Sequence, residues 1–184
     1  MNSVEINSLD NKYQEVKGYL EYYEIYGQPL VDEYAKDLDG KVEAIQTYLN
    51  NIRQYNLEFD VPSLQKIVID LSSTIYYTQD RLEKLNLLAD MSKIKYKYSY
   101  NEAYTSRQTA AKQEDRKYTA EQLRAIAEQE SLEENLISFI YNRAASILKG
   151  KIDAAYELLK ACSKSLSAEI QSMQTYQISN KFHS

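Results

Sequence analysis

The stretch SLQKIVIDLSSTIYYTQDRLEKL, residues 63–85, decides the fold. Leu64, Ile67, Val68, Leu71, Ile75, Leu82 and Leu85 recur at spacings close to three and four. That period lines one face of an α-helix. No Gly or Pro follows until Gly150, so residues 63–107 read as one long helix. The whole chain agrees with this segment. Among 184 residues there are only four Gly and two Pro, far too few for the turns of a β-rich fold. Charged residues at 27% and apolar ones at 43% are those of a folded chain, neither charge-rich and disordered nor membrane-embedded.

Upstream, Ser8-Leu9-Asp10 offers caps for a helix to about Ile25, ended by Gly27-Gln28-Pro29. A second helical region is expected from about Pro29 to Tyr55, with Leu38-Asp39-Gly40 as a candidate break. Val42, Ile45, Leu49 and Ile52 give it an apolar stripe, and residues 56–63 connect it to the next helix. Downstream, a polar stretch from Gln108 to Tyr118 precedes Thr119-Ala120-Glu121-Gln122. That tetrad resembles a capping box, with Gln122 at the third helical position. Beyond it runs an apolar seam containing Leu136, Phe139, Ile140, Ile147, Leu148, Ile152, Leu158, Leu159 and Leu166. Gly150 lies inside the seam and costs only about 1 kcal/mol against Ala, so the helix is read as continuous. A helix of about 50 residues reaches roughly 75 Å and needs partners along its length. A homo-oligomer built through that seam is the expectation. The fold class is thus all-α, an elongated helical bundle with long helices and a coiled-coil-like C-terminal helix.

Charge marks three regions. Residues 1–60, acidic and rich in tyrosine, carry 12 acidic and 5 basic side chains, a net −7. Residues 61–118 hold the long helix, and within them 93–118 carry 3 acidic and 7 basic side chains, a net +4 in a chain of −5. Residues 119–184 form the C-terminal helix for packing and oligomerisation. The island reads Lys93-Ile94-Lys95-Tyr96-Lys97-Tyr98-Ser99-Tyr100 and continues through Tyr104, Arg107, Lys112, Arg116, Lys117 and Tyr118. On a helix, Lys93, Lys97, Tyr100, Tyr104 and Arg107 share a face, with Tyr96 beside Tyr100 and Lys95 on a neighbouring line. Cations neutralise phosphates and tyrosine rings give bases a stacking platform, which is what single-strand binding needs. The competing reading is that the tyrosines pack on a neighbouring helix while the lysines snorkel over them.

Other chemistries find little support. The lone cysteine, Cys162, leaves no intramolecular disulfide and no cysteine-based zinc site, and it falls on the apolar face as a small core residue. The one histidine, His183, is penultimate, which starves histidine-based catalysis and a di-iron reading of Glu128, Glu130, Glu133 and Glu134. Asp37-Leu38-Asp39-Gly40 is a fragment of a calcium loop without the other ligands, better read as a helix break. No glycine-rich phosphate loop occurs. The basic line Arg143, Lys149, Lys151, Lys160 and Lys164 reads as the solvated flank of a helix. No enzyme, no metal and no cofactor is expected. With no apolar run near the roughly 18 residues of a membrane span, the chain is expected to be soluble and cytoplasmic.

A basic-aromatic segment, a polar linker and a C-terminal helix, in that order, resemble the UvsY-type recombination mediators of tailed bacteriophages. Lys93, Lys95 and Tyr98 match the basic residues placed just ahead of tyrosines there. Residues 136–144 and 151–160 match the aromatic-rich apolar start and the later alternation of small, basic and apolar residues. The resemblance covers about residues 80–175; the acidic N-terminal region has no counterpart, and a tryptophan expected near Phe139 is absent. It implies a non-enzymatic single-stranded DNA-binding protein, a ring-like homo-oligomer in the host cell cytoplasm. Such a protein helps load a RecA-like recombinase in the presence of a single-strand-binding protein. The alternative is a structural coiled-coil protein, such as a virion assembly or scaffold component.

Overall fold

The computed structural model describes residues 17–114 and 117–182, the side chains of 177–182 excepted. The caps Ser8-Leu9-Asp10, Arg116 and His183 lie outside the described residues. The fold is an all-α bundle of long helices, with no strand among the described residues. Helix α1 covers 17–22 and passes through a π-helical turn, Tyr23–Gly27, into α2, Gln28–Tyr55. Then come α3, Val61–Gln113, α4, Ala120–Glu130, and α5, Leu132–Phe182.

Gly27-Gln28-Pro29 does not end a helix. A proline ring in a regular α-helix clashes with the carbonyl four residues back. Here the turn before Pro29 widens instead, and the Gln28 N–H donates to the Tyr23 carbonyl, five residues back. Gly27 makes this possible. A Cβ there would stand 2.4 Å from Cδ2 of the buried Tyr23 ring and 3.3 Å from Ile140 Cγ2. Leu38-Asp39-Gly40 is no break either, since α2 runs straight through it. Leu38 is fully buried there, while Asp37 and Asp39 bind Arg81 and Lys151.

The joint between α2 and α3 follows local chemistry. Asn56 takes a left-handed φ of 49°, and the Leu57 N–H returns to the Ile52 carbonyl at 3.0 Å, closing the helix end. Asp60 then caps α3, accepting from the Ser63 N–H at 3.0 Å. The far end of α3 lies six residues beyond the expected Arg107, so half of the polar stretch is helical. The capping box is present. Thr119 Oγ1 accepts from the Gln122 N–H at 3.2 Å, and Gln122 Oε1 from the Thr119 N–H at 2.9 Å. The helix it starts is interrupted at Ser131, φ −105°, whose buried hydroxyl donates to the Ala127 carbonyl at 2.7 Å. Such back-bonding competes with regular helix geometry. From Leu132 the helix continues through Gly150 unbroken.

Two compact units share the chain. The first joins Met1–Val31 to Glu83–Ile147, and its core is made largely of small residues: Ala89, Ala111, Ala127, Ala144, Ala145, Ser92, Ser131 and Ser138. The second joins Asp32–Leu82 to Leu148–Ser184 around Leu38, Ile45, Leu64, Leu71, Ile75, Leu148 and Ile152. Cys162 sits in that second core, where burial pushes its thiol pKa up. No described helix is long and apolar enough to cross a membrane.

Two glycines should respond oppositely to Ala. At Gly150 nothing lies within 4 Å of the added Cβ, so G150A should stabilise by about 0.5–1 kcal/mol. At Gly27 overpacking of about 1–3 kcal/mol outweighs that gain, so G27A should lower the denaturation midpoint. Equal midpoints for the two variants would contradict the close approach at Gly27.

Candidate nucleic-acid interface

Most of the sequence-predicted cations and rings lie on α3 within the first unit, between Lys93 and Lys112. Lys117 follows in the link to α4 and is exposed. Lys93, Lys95, Lys97 and Lys112 are exposed as well. They do not form one line. Successive residues turn by about 100°, so Lys95 stands about 160° from Lys93, while Lys97, about 40° from Lys93, stays on the face of Lys93. The expected neighbouring position of Lys95 is therefore wrong.

The rings are mostly in use within the protein. Tyr96 and Tyr100 are half-buried, with centroids 6.3 Å apart and planes tilted by 57°. Tyr104 is half-buried too. Burial raises the Tyr96 pKa above its ordinary 10.0, and the nearby Glu128 carboxylate, Tyr100 and Tyr19 raise it further. Tyr98, 69% exposed, offers an open face, and Tyr118 in the link to α4 is exposed to a lesser degree. Arg107 is not free for phosphate. Its Nε donates to Glu130 Oε1 of α4 at 2.7 Å, and Nη2 reaches the same oxygen. This bond and the charge behind it raise the Arg107 pKa.

The seam on α5 expected to oligomerise is partly covered within the chain. Ile140, Leu148 and Ile152 are buried within the protomer; Leu136, Ile147, Leu158, Leu159 and Leu166 are half-buried, and Phe139 is 37% exposed. Tyr19 meets the Phe139 ring edge-on at 5.5 Å. The chain itself thus covers part of the α5 seam. Lys151, from the basic line on the same helix, pairs with Asp39 at 2.7 Å.

Two surfaces escaped the sequence reading. On α3, Leu87, Met91, Ile94 and Tyr98 are each between 59% and 69% exposed. Their steps of four, three and four are a helix-face signal in the sequence, interleaved with the lysines and tyrosines of the island. The second is a cleft of about 830 Å³ in the first unit, walled by Tyr22, Tyr26, Leu136, Ile137 and Tyr141. Tyr22 and Tyr26 stack there at 6.2 Å. Among the described residues, no group of three or more His, Cys, Asp or Glu could hold a metal ion. Comparison with protein-family models, curated proteins and solved structures gave no match.

A raised folded-state pKa means that the contribution of Tyr96 to stability is whole below its unfolded pKa and lost as pH rises through the folded one. Absorbance at 295 nm should show this directly. The parent-minus-Y96F difference should titrate above the bulk of the exposed tyrosines. A difference that titrates with the bulk would return Tyr96 to the pool of free stacking rings.

Proposed function

We propose that this protein works by binding, as a non-enzymatic structural helical protein that docks other helices on the outer face of α3. The observation that carries this reading is the exposed apolar stripe Leu87, Met91, Ile94 and Tyr98. It lies on the far side of α3 from the buried Leu85, Ala89 and Ser92. Scattered exposed apolar residues are ordinary, but a continuous run at coiled-coil spacing is the pattern of a docking surface. The packed tyrosines and the committed Arg107 favour this role over a nucleic-acid groove. An outer docking stripe contributes nothing inside the protomer, so the double variant M91D/I94D should keep its helical circular dichroism and its melting temperature within about 2 °C. A loss of about 5 °C or more would mean that these residues belong to the core.

A second reading remains, a single-stranded DNA-binding mediator that assists a RecA-like recombinase, as the phage resemblance implies. Its support is that Lys93, Lys95 and Lys97 stand exposed, with no salt bridge to another described residue, in a chain of net −5. Such a local excess of positive charge, although split between two sides of α3, draws a polyanion that the remaining surface repels. With about four phosphate contacts, log K should fall with log salt at a slope near −3. The triple reversal of Lys93, Lys95 and Lys97 to Glu should abolish binding to an oligothymidylate. Unchanged binding by that variant, or none by the parent at low salt, removes this reading.

A further inference from the structure

The stripe on α3 is bordered by charges in a pattern that bears on what covers it. Placing Met91 and Tyr98 at one core position of a heptad and Leu87 and Ile94 at the other keeps all four on one seam. Lys84 precedes the seam and Asn101 follows it, so the apolar run is bounded by polar residues at both ends. Asp90 and Lys97 then border one side, Lys95 and Glu102 the other, and all four are exposed. Residues at these bordering positions set which helix is accepted.

We infer that the occupant of this seam is the same seam of a second copy of the chain. The border is complementary to itself. In a parallel pair, each border residue faces the opposite border five residues further along the other helix. Asp90 then meets Lys95 of the second copy and Lys97 meets its Glu102, and symmetry doubles both contacts. In an antiparallel pair with Met91 against Ile94, equivalent borders face each other, and Asp90 meets Lys97 of the second copy, again twice. Neither arrangement opposes like charges along this border. The seam ends distinguish the two, because the parallel form brings Lys84 against Lys84 while the antiparallel form brings it against Asn101. In both, Lys97 faces an acidic side chain. That common feature makes it the residue to test. Two heptads bury less than the roughly 1,200 Å² of a stable interface, so the association is weak and concentration-dependent.

This inference rests on reading the outer face of α3 as a docking surface, and its test is separate from the test of that reading. Sedimentation equilibrium of the full chain, from about 5 to 500 µM at low salt, should show a reversible dimer. K97E should weaken it about tenfold, since two attractions become two repulsions. I94D should weaken it at least as much, with the circular dichroism of the parent. One second reversal should restore association: K97E/E102K for the parallel pair, or K97E/D90K for the antiparallel one. A parent that stays monomeric throughout, or a K97E variant that associates as the parent does, overturns the inference. So does failure of both second reversals. A monomeric parent beside a fully stable M91D/I94D variant would remove the second copy as partner and leave the docking face standing.

Discussion

A helix in water is marginal by itself, and α3, with 53 residues, persists because its inner stripe is covered in both units. Leu64, Leu71, Ile75 and Thr78 are buried in one, Leu85, Ala89, Ser92 and Ala111 in the other. Steps of four and three hold these residues on one side of the helix, which is why a sequence almost free of glycine and proline can fold. Each unit covers the stripe differently. Bulky aliphatic side chains fill the second, whereas Ala and Ser line much of the first. The Ser hydroxyls that this brings inside are satisfied locally, Ser92 on the Ala89 carbonyl at 2.8 Å and Ser131 on that of Ala127.

Charge does a different task from apolar burial. In the second unit Arg81 reaches α2 with two bonds, to the Tyr34 carbonyl at 3.0 Å and to Asp37 at 2.8 Å. Lys41 meets Asp70 at 3.0 Å and Lys151 meets Asp39. Pairs this exposed add little stability, about 0–1 kcal/mol at the median. Their value is register, because a slip of α2 by one turn would separate them together. The acidity of the first 60 residues is thereby partly explained: Asp37 and Asp39 answer cations on α3 and α5.

The legible parts of this fold were those decided within one turn. The capping box at Thr119 and the unbroken passage through Gly150 each depend on neighbours in sequence, whereas the connection expected over residues 56–63 closes at Asp60, because α3 starts at Val61. The parts that were not legible depend on neighbours in space. Gly27 before Pro29 signals a stop, until Tyr23 and Ile140 need the space that only glycine leaves. Asp39-Gly40 signals a break, until Leu38 is buried and Asp39 finds Lys151, 112 residues away. The candidate site divides in the same manner. Exposure of Lys93, Lys95 and Lys97 followed from a helix, but the claim of Glu130 on Arg107 needed α4 folded against α3.

The 18 tyrosines fit these contrasts. A tyrosine ring can bury one side and keep its hydroxyl wet, so it suits the border between a packed face and solvent. Tyr96, Tyr100 and Tyr104 occupy that border on α3, half-buried beside a core rich in small residues. Tyr23 goes further in, covering the π turn. Tyr98 stands apart from this use. It has moved about half a turn from Tyr96, off the border and onto the line of Leu87, Met91 and Ile94, where nothing in its own chain covers it among the described residues. The same residue type is thus half-buried at one position and left open to solvent two residues later, and only the angle around the helix separates the two settings.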